Sequence, residues 1–188
     1  MNTSIQPGRG GTGQTQTTDD HAQYLTFMLG GEVFAIGILA IKEIIEYGGV
    51  TPVPMMPDCI RGVINLRGAV VPVMDFSARF GRLATEVTKR TCIVIVEVGN
   101  GQVAGVIVDA VNAVLEIPAT EIEPAPAFGA RIRTDFIEGM GKVNGKFVII
   151  LNIDNILSTD DMEALVMAGE KSPVAANQSV AFAEESHV

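Results

Sequence analysis

The sequence has no tryptophan, and only 5% of its 188 residues are aromatic. It has two cysteines, Cys59 and Cys92, which stand apart without the C-x-x-C spacing of a redox or zinc motif. We expect both to be small buried apolar side chains rather than a disulfide, metal ligands or a nucleophile. The core must therefore be aliphatic, and an apolar share of 47% is enough to build one.

Histidine is as scarce as cysteine. His21 and His187 lie near the two ends, which excludes a Ser-His-Asp triad or a histidine metal site within the fold. The stretch GRGGTGQT, from Gly8, has the glycine spacing of a phosphate-binding loop, but Gln14 stands where the lysine should be and no strand precedes it. We find no active site, no metal site and no cofactor motif, and we predict that the protein is not an enzyme.

Long apolar runs and excess positive charge are also missing. No run approaches the roughly 18 apolar residues that a membrane span needs. The first residues are polar and glycine-rich, unlike a secretory signal. A net charge of −9 argues against nucleic acid or an anionic membrane as partner. These features predict a cytoplasmic protein that does not insert into a membrane.

The composition divides the chain into a patterned middle and two biased ends. Residues 1–22 and 170–188 lack periodicity, which predicts disordered tails. Between them, Gly, Pro and Asn separate short Val/Ile-rich runs, as in a mainly β chain. Residues 158–169 predict a C-terminal helix with Ser158 as its N-cap. Its apolar face, which we expect to dock on the rest of the fold, would consist of Met162, Leu165 and Val166.

The middle of the chain contains an internal repeat. GEVFAIGILAIKEIIE, from Gly31, matches GQVAGVIVDAVNAVLE, from Gly101, at an offset of 101 − 31 = 70. IRGVINLRGAVVPVMDF, from Ile60, matches IEGMGKVNGKFVIILNI, from Ile137, at an offset of 137 − 60 = 77. Matching glycines and matching apolar patterns in two ordered blocks predict a duplicated structure.

The matching segments that start at Ile60 and Ile137 each contain a predicted turn. Where the first copy has Arg67-Gly68, the second has Asn144-Gly145, and Asn-Gly is the strongest short hairpin signal. We therefore place both pairs at tight turns, with Gly68 and Gly145 at positive φ. Since such a turn does not require arginine, the side chain of Arg67 is available for function.

Four segments carry a family resemblance: YLTFMLGGEVFAIGILAIKEIIE, IRGVINLRGAVVPVMDF, VIVEVGNGQVAGVIVDAVNAVLE and FIEGMGKVNGKFVIILNIDNIL. Together they resemble the chemotaxis coupling protein family, CheW. The phrase G-V-x-N-L-R-G-x-V-V-P-V-x-D is specific to it and runs unbroken from Gly62 to Asp75. The resemblance implies two SH3-like five-stranded β-barrels within residues 23–157, with subdomains at about 24–85 and 90–157.

The resemblance also implies a non-catalytic role. Members of this family couple the cytoplasmic tip of methyl-accepting chemoreceptors to the regulatory domain of the histidine kinase CheA, in arrays at the membrane. Among the positions listed next, Gly62 and Gly105 fit a structural role as well as a contact, and Ile38 and Ile41 fit the barrel core as well as a binding surface. The implied receptor- and kinase-binding positions are Ile38, Ile41, Glu43, Gly62, Asn65, Arg67, Val103, Gly105 and Val111.

Two other functions remain open from the residues. The chain could be a regulatory module of a two-component kinase system that does not serve motility, or an SH3-like binding module with another partner. An ATP-binding region, a phosphoacceptor histidine in a helix and a receiver-length segment are all missing from the sequence. The adaptor interpretation is therefore favoured.

The composition of the tails yields a first prediction. Residues 1–20 and those after Glu170 have too little apolar content to offset the entropy of ordering. Removing both should leave the thermal midpoint and the affinity for the kinase nearly unchanged, as measured by thermal unfolding and a binding titration. A large loss of either quantity would show that a tail docks.

Overall fold

A computed structural model describes residues 21–99, 101–126 and 132–158. The fold is mainly β, as predicted. The predicted helix lies outside the described residues except for Ser158, and within those residues no helix is long and apolar enough to cross a membrane. The strands are β1 (His21–Leu29), β2 (Glu32–Gly37), β3 (Ile41–Glu46), β4 (Ile60–Leu66), β5 (Ala69–Asp75), β6 (Cys92–Glu97), β7 (Val103–Val108), β8 (Ala110–Pro118), β9 (Ile122–Glu123), β10 (Ile137–Val143) and β11 (Lys146–Leu151).

Short helices connect some of these strands. The α-helices α1 (Phe76–Arg79) and α2 (Ile153–Ile156) follow β5 and β11, so each ends one copy of the repeat. Single 3-10 turns lie at Ile38–Ala40, Ala119–Glu121 and Thr134–Phe136. The strand β1 begins at His21, which pairs with Pro118. The last two residues of the predicted tail, 21 and 22, therefore belong to a strand.

The strands form two sheets. Sheet A has six strands in the order β8-β1-β2-β11-β10-β9, and sheet B has five in the order β3-β6-β7-β5-β4. The β1–β2 hairpin of the first copy lies in sheet A, with the later strands of the second copy. The β6–β7 hairpin of the second copy lies in sheet B, with the later strands of the first. The two copies thus exchange their N-terminal hairpins.

This exchange corrects the predicted subdomain boundaries. Neither 24–85 nor 90–157 contains a complete sheet, because each sheet takes its hairpin from the other copy. The pairings follow the repeat, since the parallel pair Val73–Gly105 corresponds to Ile150–Ala35 through the offsets of 77 and 70. Sequence reasoning assumes that neighbouring segments pair. In a duplicated chain, each N-terminal hairpin is similar enough to pair with the later strands of either copy. The sequence pattern alone therefore does not distinguish pairing within a copy from pairing between copies.

Local details also repeat. In β4 the pairing register shifts between Ile60 and Gly62. In β10 it shifts at the equivalent place, between Ile137 and Gly139. Asp75 caps α1 by accepting hydrogen bonds from two backbone N–H groups, and Asn152, 77 residues later, caps α2. The structure therefore bears out the duplication.

The largest hydrophobic core lies between the sheets, and we call it the intersheet core. Among the described residues it contains 22 buried side chains, including the five phenylalanines Phe27, Phe34, Phe76, Phe80 and Phe136. Each sheet also has a smaller core of its own. Because side chains alternate along a strand, β6 contributes Ile93 and Ile95 to the small core of sheet B, and Val94 and Val96 to the intersheet core.

The importance of the intersheet core can be tested with a matched pair of phenylalanines. Phe76→Ala should lower the free energy of unfolding by about 3–5 kcal/mol, because Phe76 is fully buried against Phe27 and Phe80. Phe147→Ala is the control, because Phe147 is 53% exposed and its removal leaves no cavity in a core.

Two tyrosines can report on the two sheets during the same denaturant titration. Tyr24 packs in the small core of sheet A and Tyr47 in that of sheet B. Single Tyr→Phe variants isolate each fluorescence signal. We expect coincident midpoints for both probes, since neither sheet is complete without the other copy's hairpin. Separate midpoints, or equal effects of the two alanine substitutions, would contradict this account.

Candidate interaction site

The turn between β4 and β5 holds Arg67 at the edge of sheet B. Leu66 pairs with Ala69, which leaves a two-residue loop. Both loop residues have positive φ, 51° at Arg67 and 85° at Gly68, the pattern of a type I′ hairpin turn. The side-chain oxygen of Asn65 accepts a hydrogen bond from the backbone N–H of Gly68 at 2.9 Å. Asn65 therefore stabilises the turn itself.

Arg67 forms a bidentate ion pair with Glu43 on β3. Its Nη1 and Nη2 each donate to one carboxylate oxygen at 2.7 Å. Hydrogen bonding from Arg67 lowers the pKa of Glu43, and Glu43 in turn raises the pKa of Arg67. The Arg67 side chain is 75% exposed and that of Glu43 is 25% exposed. The arginine is thus oriented by a partner while most of its surface stays accessible.

The ion pair stands at the rim of a cleft. Lys42 adds a third charge there and also pairs with Glu97 on β6. The cleft has a volume of about 520 Å³ and combines these charges with an aliphatic floor. The floor consists of Leu66, Ala69, Val70, Val71, Ile95 and Val103. An apolar floor with a charged rim suits binding of an amphipathic segment.

The structure brings together only part of the predicted set. Glu43, Arg67 and Val103 line the cleft, and Asn65 lies in the turn beside it. Three other predicted residues do not line it: Ile38, Ile41 and Val111 are partly buried and pack against the intersheet core.

The two predicted glycines have structural roles. Gly62 is buried with φ 145°, and a Cβ there would lie 1.9 Å from the carbonyl oxygen of Thr51. Gly105 is buried between Ile93 and Val73, whose side chains would lie 2.8 and 3.3 Å from an added Cβ. Neither glycine presents a surface to a partner, so both are better described as packing positions than as contacts.

Sequence reasoning missed Val70, which is 72% exposed at the cleft. The signal was present in the alternation of β5. Val71 and Val73 are buried, so Val70 must face the other way. Apolar residues are assigned to a core by default, which hides an exposed one within a Val-rich run.

The two cysteines and the potential metal ligands can be located in the structure. Cys59 is buried and Cys92 is partly exposed, and both are free thiols. Burial raises the pKa of the Cys59 thiol. Within the described ranges, no three His, Cys, Asp or Glu side chains are grouped to hold a metal ion.

Comparisons with known proteins identify the class. The sequence profile of the CheW-like domain matches residues 23–161. Chemotaxis protein CheW of Klebsiella aerogenes is 35% identical over 140 residues, covering 74% of this chain and 84% of that protein. Chemotaxis protein CheW of Rhizobium meliloti is 34% identical, covering 78% and 94%.

A solved structure agrees. The scaffolding protein TtCheW from Thermoanaerobacter tengcongensis has 38% sequence identity and a TM-score of 0.66, covering 71% of this chain and 85% of that one. The two sheets thus define a mainly β domain with the fold of this scaffolding protein. More particularly, the chain belongs to the CheW-like domain family.

The ion pair yields a prediction about pH. Since Arg67 lowers the pKa of Glu43, the pair should stabilise the fold above the ordinary pKa of a glutamate and stop doing so as the pH falls through the lowered value. In Arg67→Asn, the titration midpoint of Glu43 should rise toward its ordinary value. Asn tolerates positive φ, so the turn is kept.

The measurement is an NMR titration of side-chain carboxyl carbons. Asp135 is the internal control, because Arg133 lowers its pKa independently of Arg67. Its midpoint should be the same in both proteins. An unchanged Glu43 midpoint in Arg67→Asn would show that the ion pair does not persist in solution.

Proposed function

We propose that this chain is a non-catalytic adaptor that couples methyl-accepting chemoreceptors to the histidine kinase CheA in chemotaxis signalling arrays. Membership of the CheW-like family supports this proposal, as do relatives named chemotaxis protein CheW and a structural neighbour named a scaffolding protein. The same names favour chemotaxis over a two-component system that does not serve motility. The adaptor would act in the cytoplasm and be recruited to receptors at the membrane.

The receptor-binding surface of this proposal is the cleft at Arg67. Receptor tips are helical hairpins, and a helix binds a groove by laying its apolar face on an apolar floor. Val70 and Val103 provide such a floor, while Arg67, Glu43 and Lys42 provide charges at the rim. The observation that carries the proposal is the bidentate pair, which orients an exposed guanidinium at the rim of the cleft before any partner arrives.

The kinase side of the proposal involves the regulatory domain of CheA. The family resemblance implies that this domain has the same double-barrel fold, so we expect like surfaces of the two proteins to pack together. The partly exposed positions Ile38, Ile41 and Val111 are the candidates of the predicted set that lie away from the cleft.

We further propose that each sheet closes into an SH3-like barrel. In sheet B, β3 and β4 are the two edge strands, and Glu43 on one pairs with Arg67 at the end of the other. Thr51, just beyond β3, also forms a β-bridge with Val63 on β4. In sheet A the edges β8 and β9 are consecutive in the chain, joined by the 3-10 turn at Ala119–Glu121. Both arrangements bring the edges toward each other.

Charge reversal at Arg67 tests the receptor-binding surface. Arg67→Glu should fold with an unchanged denaturation midpoint or a slightly lower one, because the side chain is exposed. It should nevertheless lose most receptor-stimulated kinase activity, since it places two carboxylates at the rim of the cleft. The measurement is kinase activity in reconstituted receptor membranes, with unfolding measured in parallel.

The second copy offers a matched control. Asn144→Glu introduces the same side chain at the equivalent turn, at the same φ of 51°. It should still fold, with at most a modest fall in the denaturation midpoint because asparagine suits this φ better than glutamate does, and it should couple normally. If both variants couple alike, or if Arg67→Glu fails only because it unfolds, Arg67 is an ordinary turn residue. The double variant Glu43→Arg with Arg67→Glu separates the two roles, since it restores an ion pair but not the position of the cation.

A further inference from the structure

The strand β3 contains a β-bulge at Lys42. In the antiparallel ladder with β6 the register shifts between Ile41 and Glu43, so Lys42 has no residue opposite it. Successive side chains of a regular strand point to opposite faces, yet Lys42 and Glu43 both line the cleft at Arg67. A bulge redirects a side chain of its strand, which accounts for two neighbouring charges at one rim.

The bulge recurs in the second copy without the charges. In the β1–β8 ladder the register also shifts, and β8 has Asn112 and Ala113 opposite the single residue Thr26. At the offset of 70, Asn112 corresponds to Lys42 and Ala113 to Glu43. The repeated fold therefore requires the bulge but does not require a lysine in it.

A carboxylate from the neighbouring strand orients Lys42. Its Nζ pairs with Oε2 of Glu97, the last residue of β6. Glu97 lines a separate depression beside Leu39, and Lys42 lines both that depression and the cleft. Exposed ion pairs of this kind contribute little to stability. The pair thus positions Lys42 between the two depressions without being needed for folding.

Each of the two ion pairs presents its cation to solvent. Arg67 is 75% exposed and its partner Glu43 is 25% exposed, while Lys42 is 50% exposed and Glu97 41%. A guanidinium has five N–H groups and an ammonium three, and among the described residues these two cations bind only those carboxylates. A carboxylate from a partner can therefore bind at this rim without displacing either internal pair.

We infer that Lys42 is a specificity-determining contact, which selects a docking segment with a carboxylate beside its apolar face. The inference rests on the proposed function, since it names the chemistry of the segment that the cleft receives. An amphipathic helix laid on Val70 and Val103 brings the border of its apolar face to the rim, where Lys42 and Arg67 lie. An acidic side chain at that border gains a cationic partner, whereas a basic one meets like charge.

The two ends of the Lys42–Glu97 pair separate a contact from a structural role. Lys42→Gln and Glu97→Gln remove the same ion pair, so a merely structural pair predicts the same effect for both. If Lys42 binds the partner, Lys42→Gln should weaken binding of a soluble cytoplasmic fragment of a methyl-accepting chemoreceptor about two- to five-fold. Glu97→Gln should instead strengthen binding, because it releases Lys42 and removes a negative charge. Binding titrations at low and high salt measure both changes, which should shrink as salt rises.

Two control variants make the same charge changes at exposed positions outside the cleft. Lys146→Gln alters the first residue of β11, and Glu46→Gln alters the last residue of β3. Both should bind the fragment with unchanged affinity, and thermal unfolding is measured in parallel for all four variants. Equal effects of Lys42→Gln and Lys146→Gln would overturn the inference, because net charge alone would then explain the loss.

Substitutions in the fragment identify the carboxylate. Each acidic residue of its tip is changed in turn to the corresponding amide, and one of these changes should be non-additive with Lys42→Gln in a double-mutant cycle. Additive effects throughout, or like effects of Lys42→Gln and Glu97→Gln, would overturn the inference alone, provided that Arg67→Glu still weakens binding. A fragment that binds Arg67→Glu as tightly as the unchanged protein, or binds neither, would overturn the receptor-binding surface as well.

Discussion

The core between the two sheets is the interaction on which the rest of the structure depends. Each sheet has its own small core, but the intersheet core is far larger, with 22 buried members among the described residues, and contains the linked phenylalanine rings. The exchanged hairpins carry much of it, with Phe27 and Phe34 from the first copy and Val94 and Val106 from the second. Because each hairpin also completes the sheet of the other copy, we expect the two halves to unfold as one cooperative unit.

The cleft at Arg67 depends on this exchange of hairpins. Glu43, Arg67 and Val70 belong to the first copy, whereas Ile95 and Val103 belong to the hairpin of the second. The charged rim and part of the floor thus come from segments distant in the chain, which the antiparallel β3–β6 ladder and the parallel β5–β7 ladder bring together. Displacement of the exchanged hairpin would remove two of the six floor residues, Ile95 and Val103, while leaving the turn at Arg67 intact.

Sequence reasoning succeeded where the determinants are local. The turns at Arg67 and Asn144 follow from glycine at positive φ, and the repeat follows from paired patterns. It failed for the hairpin exchange, because two similar hairpins satisfy either sheet and the choice is made by packing between the sheets. It also failed to separate Gly62 from a contact residue, since the close carbonyl of Thr51 is visible only in three dimensions. The ion pair between Arg67 and Glu43 is hidden from the sequence for the same reason, although the family resemblance implies both positions.

The duplicated turns differ between the two copies at the ion pair that the proposal uses. Position 43 corresponds to Ala113 and position 67 to Asn144, so the second copy has neither member of the ion pair. Both turn residues have a φ of 51°, which asparagine tolerates better than arginine does. Arginine is thus the less favourable choice for this backbone, and its ion pair lies largely in solvent, where such pairs stabilise little. A residue that suits its local backbone poorly and contributes little to folding is a candidate for contact with a partner. The asymmetry between two otherwise matched turns therefore points to Arg67 more strongly than exposure alone does.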